Sequence, residues 1–203
     1  MPFLLRVELP DVPGSLGRIA SCIGEAGGDI EAIEIVEKRH DAATAVDDVL
    51  LEIAPGSMPD SIVSAVNALD GVKVLWISRY TAGGNLFLDL EAVEELTADP
   101  SGALDRLIDV LPITFRADWG ARVHRTNGVV HRTEAAPTEV EWSSIGKAKR
   151  LDFEDEVNLY CGARLDPDQI VVIGRRGGPA FLDSELARLG HLVALAGSIA
   201  LAG

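Results

Sequence analysis

Leu5, Val7 and Leu9 alternate with Arg6 and Glu8, so residues 3–9 read as a half-buried strand. The period then lengthens. Leu16, Ile19, Ala20 and Ile23 recur at i, i+3, i+4 and i+7, which predicts one apolar stripe along a helix. Asp11 suits its N-cap, Pro13 its first turn, and Gly27-Gly28 its end. Ile30, Ile33 and Ile35 mark a second strand running to Lys38, and residues 40–46 read as a loop. Val49, Leu51 and Ile53 alternate in a third strand, with Asp47, Asp48 and Glu52 as polar neighbours. Pro59 opens a second helix whose stripe is Ile62, Val63, Val66 and Leu69, and Asp70-Gly71 closes it. Val72, Val74 and Trp76 form a fourth strand. The order β-α-β-β-α-β is the split βαβ, ferredoxin-like pattern. Both helices cover one sheet face, and the other is left for a partner subunit or a second domain.

Residues 81–85, TAGGN, are small and Gly-rich and read as a linker. Leu88, Leu90, Val93 and Leu96 then predict a short helix. Pro100-Ser101 opens another, with Leu104, Leu107, Ile108 and Leu111 on one face and Pro112 closing it. Asn127-Gly128 predicts a hairpin across residues 117–134. A two-residue turn there would set His124 opposite His131, on one face with Arg122 and Thr133. Residues 139–149 have no clean period. Two strands follow, 157–165 and 170–175, and then a long helix over 183–201 that Asp183 or Ser184 can cap. Its apolar face is Leu186, Leu189, Leu192, Val193, Ala196 and Ile199.

Composition narrows the function classes. Of 203 residues, 47% are hydrophobic and 5% aromatic, so the cores are aliphatic. The net charge is −14, with 13 acidic against 6 basic side chains up to residue 80 and 19 against 12 beyond it. Neither half hides a dominant basic face, so nucleic acid and anionic membranes are not expected partners. Cys22 and Cys161 are too far apart for a metal motif or a disulfide framework and read as small buried hydrophobes. The N-terminus lacks a signal-peptide pattern, and the apolar run 186–203 is broken by Arg188 and His191. A cytoplasmic protein is expected.

The chemistry concentrates at residues 11–16, Asp11-Val12-Pro13-Gly14-Ser15-Leu16, and at Asp29-Ile30. A helix N-terminus offers free backbone N–H groups and partial positive charge. Gly14 lacks a Cβ, so a carboxylate can approach the backbone there. Asp11 and Asp29 can accept hydrogen bonds from an ammonium, or serve only as a cap and a turn residue. Arg122, Arg125 and Arg132 with His124 and His131 make a second polar ribbon. Facing histidines could hold a metal, but no third ligand is in place, and no metal or cofactor is expected. The Gly-rich Arg175-Arg176-Gly177-Gly178-Pro179 lacks phosphate-loop spacing.

Val7-Glu8-Leu9-Pro10-Asp11-Val12-Pro13-Gly14-Ser15-Leu16, Ile19, Ile23 and Gly27-Gly28-Asp29-Ile30 resemble an ACT domain. The D-x-P-G-x-L loop between strand and helix carries the match. The resemblance implies a regulatory module, dimeric, that binds an amino acid at the loop through Asp11, Val12, Pro13, Gly14, Ser15, Leu16, Asp29 and Ile30. Serine-responsive members carry a histidine where this chain has Leu9, and asparagine at positions 11 and 29; Leu9 favours an apolar ligand side chain. The ending Ile170-Val171-Val172-Ile173-Gly174-Arg175-Arg176, Pro179-Ala180-Phe181-Leu182, Glu185-Leu186 resembles a GAF domain, which implies a second sensor module with an antiparallel sheet and a C-terminal helix. The expectation is an α+β chain: an ACT-like domain at 1–80, a linker at 81–85 and a GAF-like domain at 86–203. Its expected role is non-catalytic sensing of a small metabolite as a homodimer. The alternatives are a ligand-free dimerising scaffold, or a small enzyme using Arg122, His124 and His131 on an acidic metabolite.

Overall fold

The computed structural model describes residues 2–79, 84–153, 155 and 157–202. It divides into two compact units, Met1–Ala82 and Gly83–Gly203. In the first, β1 (Pro2–Pro10), α1 (Ser15–Glu25), β2 (Gly28–Arg39), β3 (Thr44–Ile53), α2 (Pro59–Asn67) and β4 (Lys73–Arg79) follow in that order. The sheet is antiparallel with strand order β2-β3-β1-β4, the ferredoxin-like arrangement expected from the periodicity. Leu5, Val7 and Leu9 of β1 and Val49, Leu51 and Ile53 of β3 meet Ile19 and Ile23 of α1 and Ile62 and Val66 of α2 in one core.

The expected loop over 40–46 is shorter than predicted. β3 already begins at Thr44, because Pro10 and Leu9 pair with Thr44 and Ala45 and extend the ladder to the tip. The face of β1 and β3 opposite the helices is also buried. Arg6 and Asp48, direct register partners there, form a bidentate ion pair of 2.7 and 2.9 Å at 2% exposure each.

The second unit holds α3 (Gly84–Ala98), a 3-10 turn (Pro100–Gly102), α4 (Ala103–Phe115), β5 (Trp119–His124), β6 (Gly128–Arg132), β7 (Lys149–Leu151), β8 (Asn158–Arg164), β9 (Gln169–Arg176) and α5 (Asp183–Ala202). The sheet order is β6-β5-β9-β8-β7, all antiparallel. Both sheet faces carry a core. Leu107, Ile108, Leu111 and Phe115 of α4 and Leu189, Val193 and Ala196 of α5 pack on Cys161, Ala163, Val171 and Ile173. The opposite face buries Trp119, Ala121, Val123, Ile170 and Val172 with Ala136 and Ile145 of the connection between β6 and β7. This explains the unbroken apolar run of β9: a central strand buried on both faces has no polar side. Gly174 is required because a Cβ there would lie 2.3 Å from the Trp119 ring.

Four local expectations are corrected. Of the predicted linker, residues 81–83 lie outside the described residues, while Gly84 and Asn85 are already helical. Pro112 does not end α4; it sits within it, and the helix closes at Arg116 with φ 49°. A proline near a helix C-terminus removes only one hydrogen bond, and burial of Thr114 and Phe115 outweighs it. The hairpin turn is one residue longer than Asn127-Gly128 alone implies: His124 pairs with Gly128, and a register shift sets Arg122 opposite His131. At the start of α5, neither Asp183 nor Ser184 caps. Glu185 Oε2 accepts the Leu182 N–H at 2.7 Å, while Asp183 pairs with Arg150 at 2.8 Å. α5 is the one described helix long and apolar enough to cross a membrane by length and composition, and its Leu186, Leu189, Leu192, Val193 and Ala196 are spent on the core.

Candidate functional site

The loop between β1 and α1 borders a cavity of about 280 Å³. Residues 9–16 form one side; Ile35 of β2 and Ala45 and Asp47 of β3 form the other. Sheet register explains the grouping. β1 ends beside the start of β3, and β2 crosses the same end on its way to Arg39. Gly14 makes the turn possible: it is the N-cap of α1 with φ 90°, a left-handed conformation that side chains resist. A Cβ at Gly14 would meet nothing within 4 Å, so the space above it is open.

Two buried polar atoms beside this cavity find no partner among the described residues. Ser15 is 3% exposed and Asp47 is 1% exposed; Ser15 Oγ and Asp47 Oδ1 make no hydrogen bond. Such groups normally cost about 1–3 kcal/mol each, so a hydrogen-bonding partner supplied here would recover that free energy. Burial, reinforced by the nearby charges of Asp11 and Asp48 and opposed by Lys38, pushes the Asp47 carboxyl up to about 6. Ser15 N–H bonds Val12 O at 3.2 Å and Arg18 N–H bonds Gly14 O at 3.1 Å. The first-turn amides between them, Leu16 and Gly17, are left for an anion. The pocket therefore offers a carboxylate on one side, and a hydroxyl with helix N–H donors on the other.

The expected site residues divide. Asp11, Val12, Pro13, Gly14, Ser15 and Leu16 all line the cavity. Asp11 is not the helix cap expected of it: its carboxylate pairs with Lys38 Nζ at 3.2 Å, and Gly14 holds the cap position. Asp29 and Ile30 are elsewhere. Asp29 pairs with Glu52 at the far end of β2, and Ile30 packs against the core. Six residues of strand separate Asp29 from Ile35, about 20 Å, so one chain cannot bring Asp29 to the loop. Asp47 was passed over as a polar neighbour. Its parity tells otherwise: Asp47 shares the inward phase of Ala45, Val49, Leu51 and Ile53, an acid where an aliphatic residue is due.

The Arg and His ribbon of the second unit is tied up internally. Arg122 donates to Asp105 at 2.5 Å and to Gln169 at 2.9 Å, and His131 Nε2 meets Asp109 at 2.9 Å. His124 Nδ1 accepts from the Thr126 and Asn127 amides of its own turn, so the two histidines do not converge. Arg125 lies over the Trp142 ring at 5.5 Å, and Arg132 donates to Ala136 O at 2.8 Å. Within the Gly-rich segment, Arg175 is buried, bonded to Glu185 at 2.8 Å and to the carbonyls of Phe115 and Pro179. It is a structural clamp rather than a phosphate loop. Cys161 is buried, and that burial raises its thiol pKa well out of the reactive range.

No family model matches the chain. It is 32% identical over 142 residues to NAD-dependent malic enzyme 1 of Bacillus subtilis (strain 168), a match covering 70% of this chain and 28% of that protein. The matched stretch thus spans little more than a quarter of the length of that relative. Among solved structures, a GAF domain from Pseudomonas syringae pv. tomato covers 56% of this chain and 83% of its own length, at 16% identity and a TM-score of 0.43. The GAF domain of an Acinetobacter phosphoenolpyruvate-protein phosphotransferase covers 60% and 95%, at 11% identity and a TM-score of 0.45.

Proposed function

We propose that the chain is a non-catalytic regulatory module that binds a small amine-bearing metabolite, an amino acid or a similar zwitterion, in the pocket at the β1–α1 loop. The observation that carries this reading is the pair of partnerless buried atoms, Ser15 Oγ and Asp47 Oδ1, beside a helix N-terminus. A ligand carboxylate satisfies Ser15 Oγ and the first-turn N–H groups; its ammonium satisfies Asp47, with Asp11 at the mouth. Leu9, Ile35 and Ala45 leave an apolar remainder for the side chain. A volume of about 280 Å³ suits a single amino acid and excludes a nucleotide. A free dicarboxylate such as malate is disfavoured, because two acids already flank the pocket.

In this reading the first unit is the ACT-like sensor and the second a GAF-like module, in a cytoplasmic homodimer. β2 supports a second copy: it is an edge strand with Ile33 and Ile35 exposed. The partial match to a malic enzyme agrees with a module that works beside a catalytic body. Differential scanning fluorimetry against the twenty amino acids and L-malate, each at millimolar concentration, tests the ligand class. A melting shift with one or a few apolar amino acids, and none with malate, is expected. A shift with malate alone, or with no amino acid, overturns the reading. Light scattering with and without the active ligand tests the dimer.

A further inference from the structure

A second cavity, of about 620 Å³, lies in the other unit. Its wall on one side is α5, with Leu186, Ala187, Gly190 and His191; opposite stand Ala163 and Arg164 at the end of β8 and residues 146–148. β7 is only three residues long and pairs with β8 no further than Gly162, so the end of β8 is unpaired on that side. Small residues keep the gap open: a Cβ on Gly190 would stand 3.5 Å from Ala148, and anything longer would enter the space. Ala163 and Leu186 give it an apolar floor, both buried.

The rim carries the second observation. Lys147, Arg164 and His191 all border the cavity. None of the three makes a side-chain hydrogen bond or ion pair with another described residue. In a chain of net charge −14, an opening bordered by two cationic side chains, Lys147 and Arg164, and by the His191 imidazole, none paired with a described carboxylate, is a local reversal of field. The single acid on the rim, Asp183, is already neutralised by Arg150 at 2.8 Å. We propose that this cavity binds a small organic anion, a carboxylate on a compact apolar body: the anion lies between Lys147, Arg164 and His191, and the body lies on Ala163 and Leu186 between α5 and β8. The site shares no residue with the pocket at Asp47 and takes an anion rather than a zwitterion.

Titration of the ¹⁵N-labelled 203-residue chain with hexanoate, inorganic phosphate and cyclohexanol separates anion from apolar body. Saturable amide shifts at Gly146, Ala148, Ala163, Gly190 and His191 with hexanoate, and at least tenfold weaker binding of the other two probes, are expected. The double variant K147Q/R164Q weakens hexanoate at least tenfold. G190L, whose side chain fills the cavity, abolishes the shifts while the remaining spectrum stays dispersed. Should G190L fail to fold, A187M fills the same space from the neighbouring turn. Linear, unsaturated shifts with hexanoate, equal affinity for phosphate, or indifference to K147Q/R164Q would each overturn the proposal.

Discussion

Replacing Asp47 with asparagine separates a binding residue from a stabilising one, because the two effects have opposite signs. The carboxyl is held at about 6 against an ordinary value of 3.8, with burial the largest cause. A carboxyl raised on folding keeps its proton more tightly in the folded chain than in the unfolded one. The folded state therefore gains below about pH 4 and loses as pH rises towards 6, where Asp47 ionises in its buried place. Over that window the empty protein gives up about 3 kcal/mol. Asp47→Asn removes the ionisation, so at pH 7 it raises stability by up to this amount, roughly 6–12 °C in melting temperature for a chain of this size. Binding moves the other way. An ammonium about 4 Å from the carboxylate gains about 4 kcal/mol at an effective dielectric near 20. Desolvation of the ammonium offsets part of this gain, so the variant loses between about tenfold and a thousandfold in affinity for an amine-bearing ligand. Wild-type affinity falls about tenfold per pH unit below 6, as Asp47 protonates. The assay is chemical denaturation from pH 4 to 7.5 for both proteins, with calorimetric titration of the amino acid that fluorimetry selects. A variant less stable than wild type at pH 7, or a wild-type stability flat from pH 4 to 6.5, refutes the account.

Gly14→Val meets no neighbour but forces a branched side chain to φ 90°; it is expected to cost about 1–2 kcal/mol and to abolish the ligand-induced melting shift, both read by fluorimetry. Arg6→Ala removes the bidentate partner of Asp48 on the buried side of the first sheet and is expected to cost about 3–5 kcal/mol, whereas the double replacement Arg6→Met with Asp48→Leu recovers most of it in urea unfolding. Gly174→Ala drives a methyl into the Trp119 ring and is expected to cost about 1–3 kcal/mol, with a changed Trp emission spectrum reporting the displaced ring.

The alternation of Leu5, Val7 and Leu9 and the helical stripes at Ile19, Ile23, Ile62 and Val66 determined the first unit's element order and its buried face, since a short-range period selects the same face in any tertiary setting. The loop at 11–16 was legible for the same reason: Pro13 and Gly14 act within a few residues of themselves. What joined Asp47 to that loop is strand register, which pairs β1 with β3 across some forty residues and has no local trace beyond one acid at an inward position. Register also sets Asp29 about 20 Å from the loop along β2 within one chain. In the second unit the extra turn residue before Gly128 and the register shift between Arg122 and Val123 together moved His131 from His124 to Arg122, since each slip changes the cross-strand partners beyond it. The aperiodic stretch 139–149 gave no sign of its role, because it buries Ile145 singly rather than as part of a repeating face. Residue types and their spacing thus settled which elements form. Only their packing decided that Ser15 and Asp47, each unremarkable alone, would be buried together without partners.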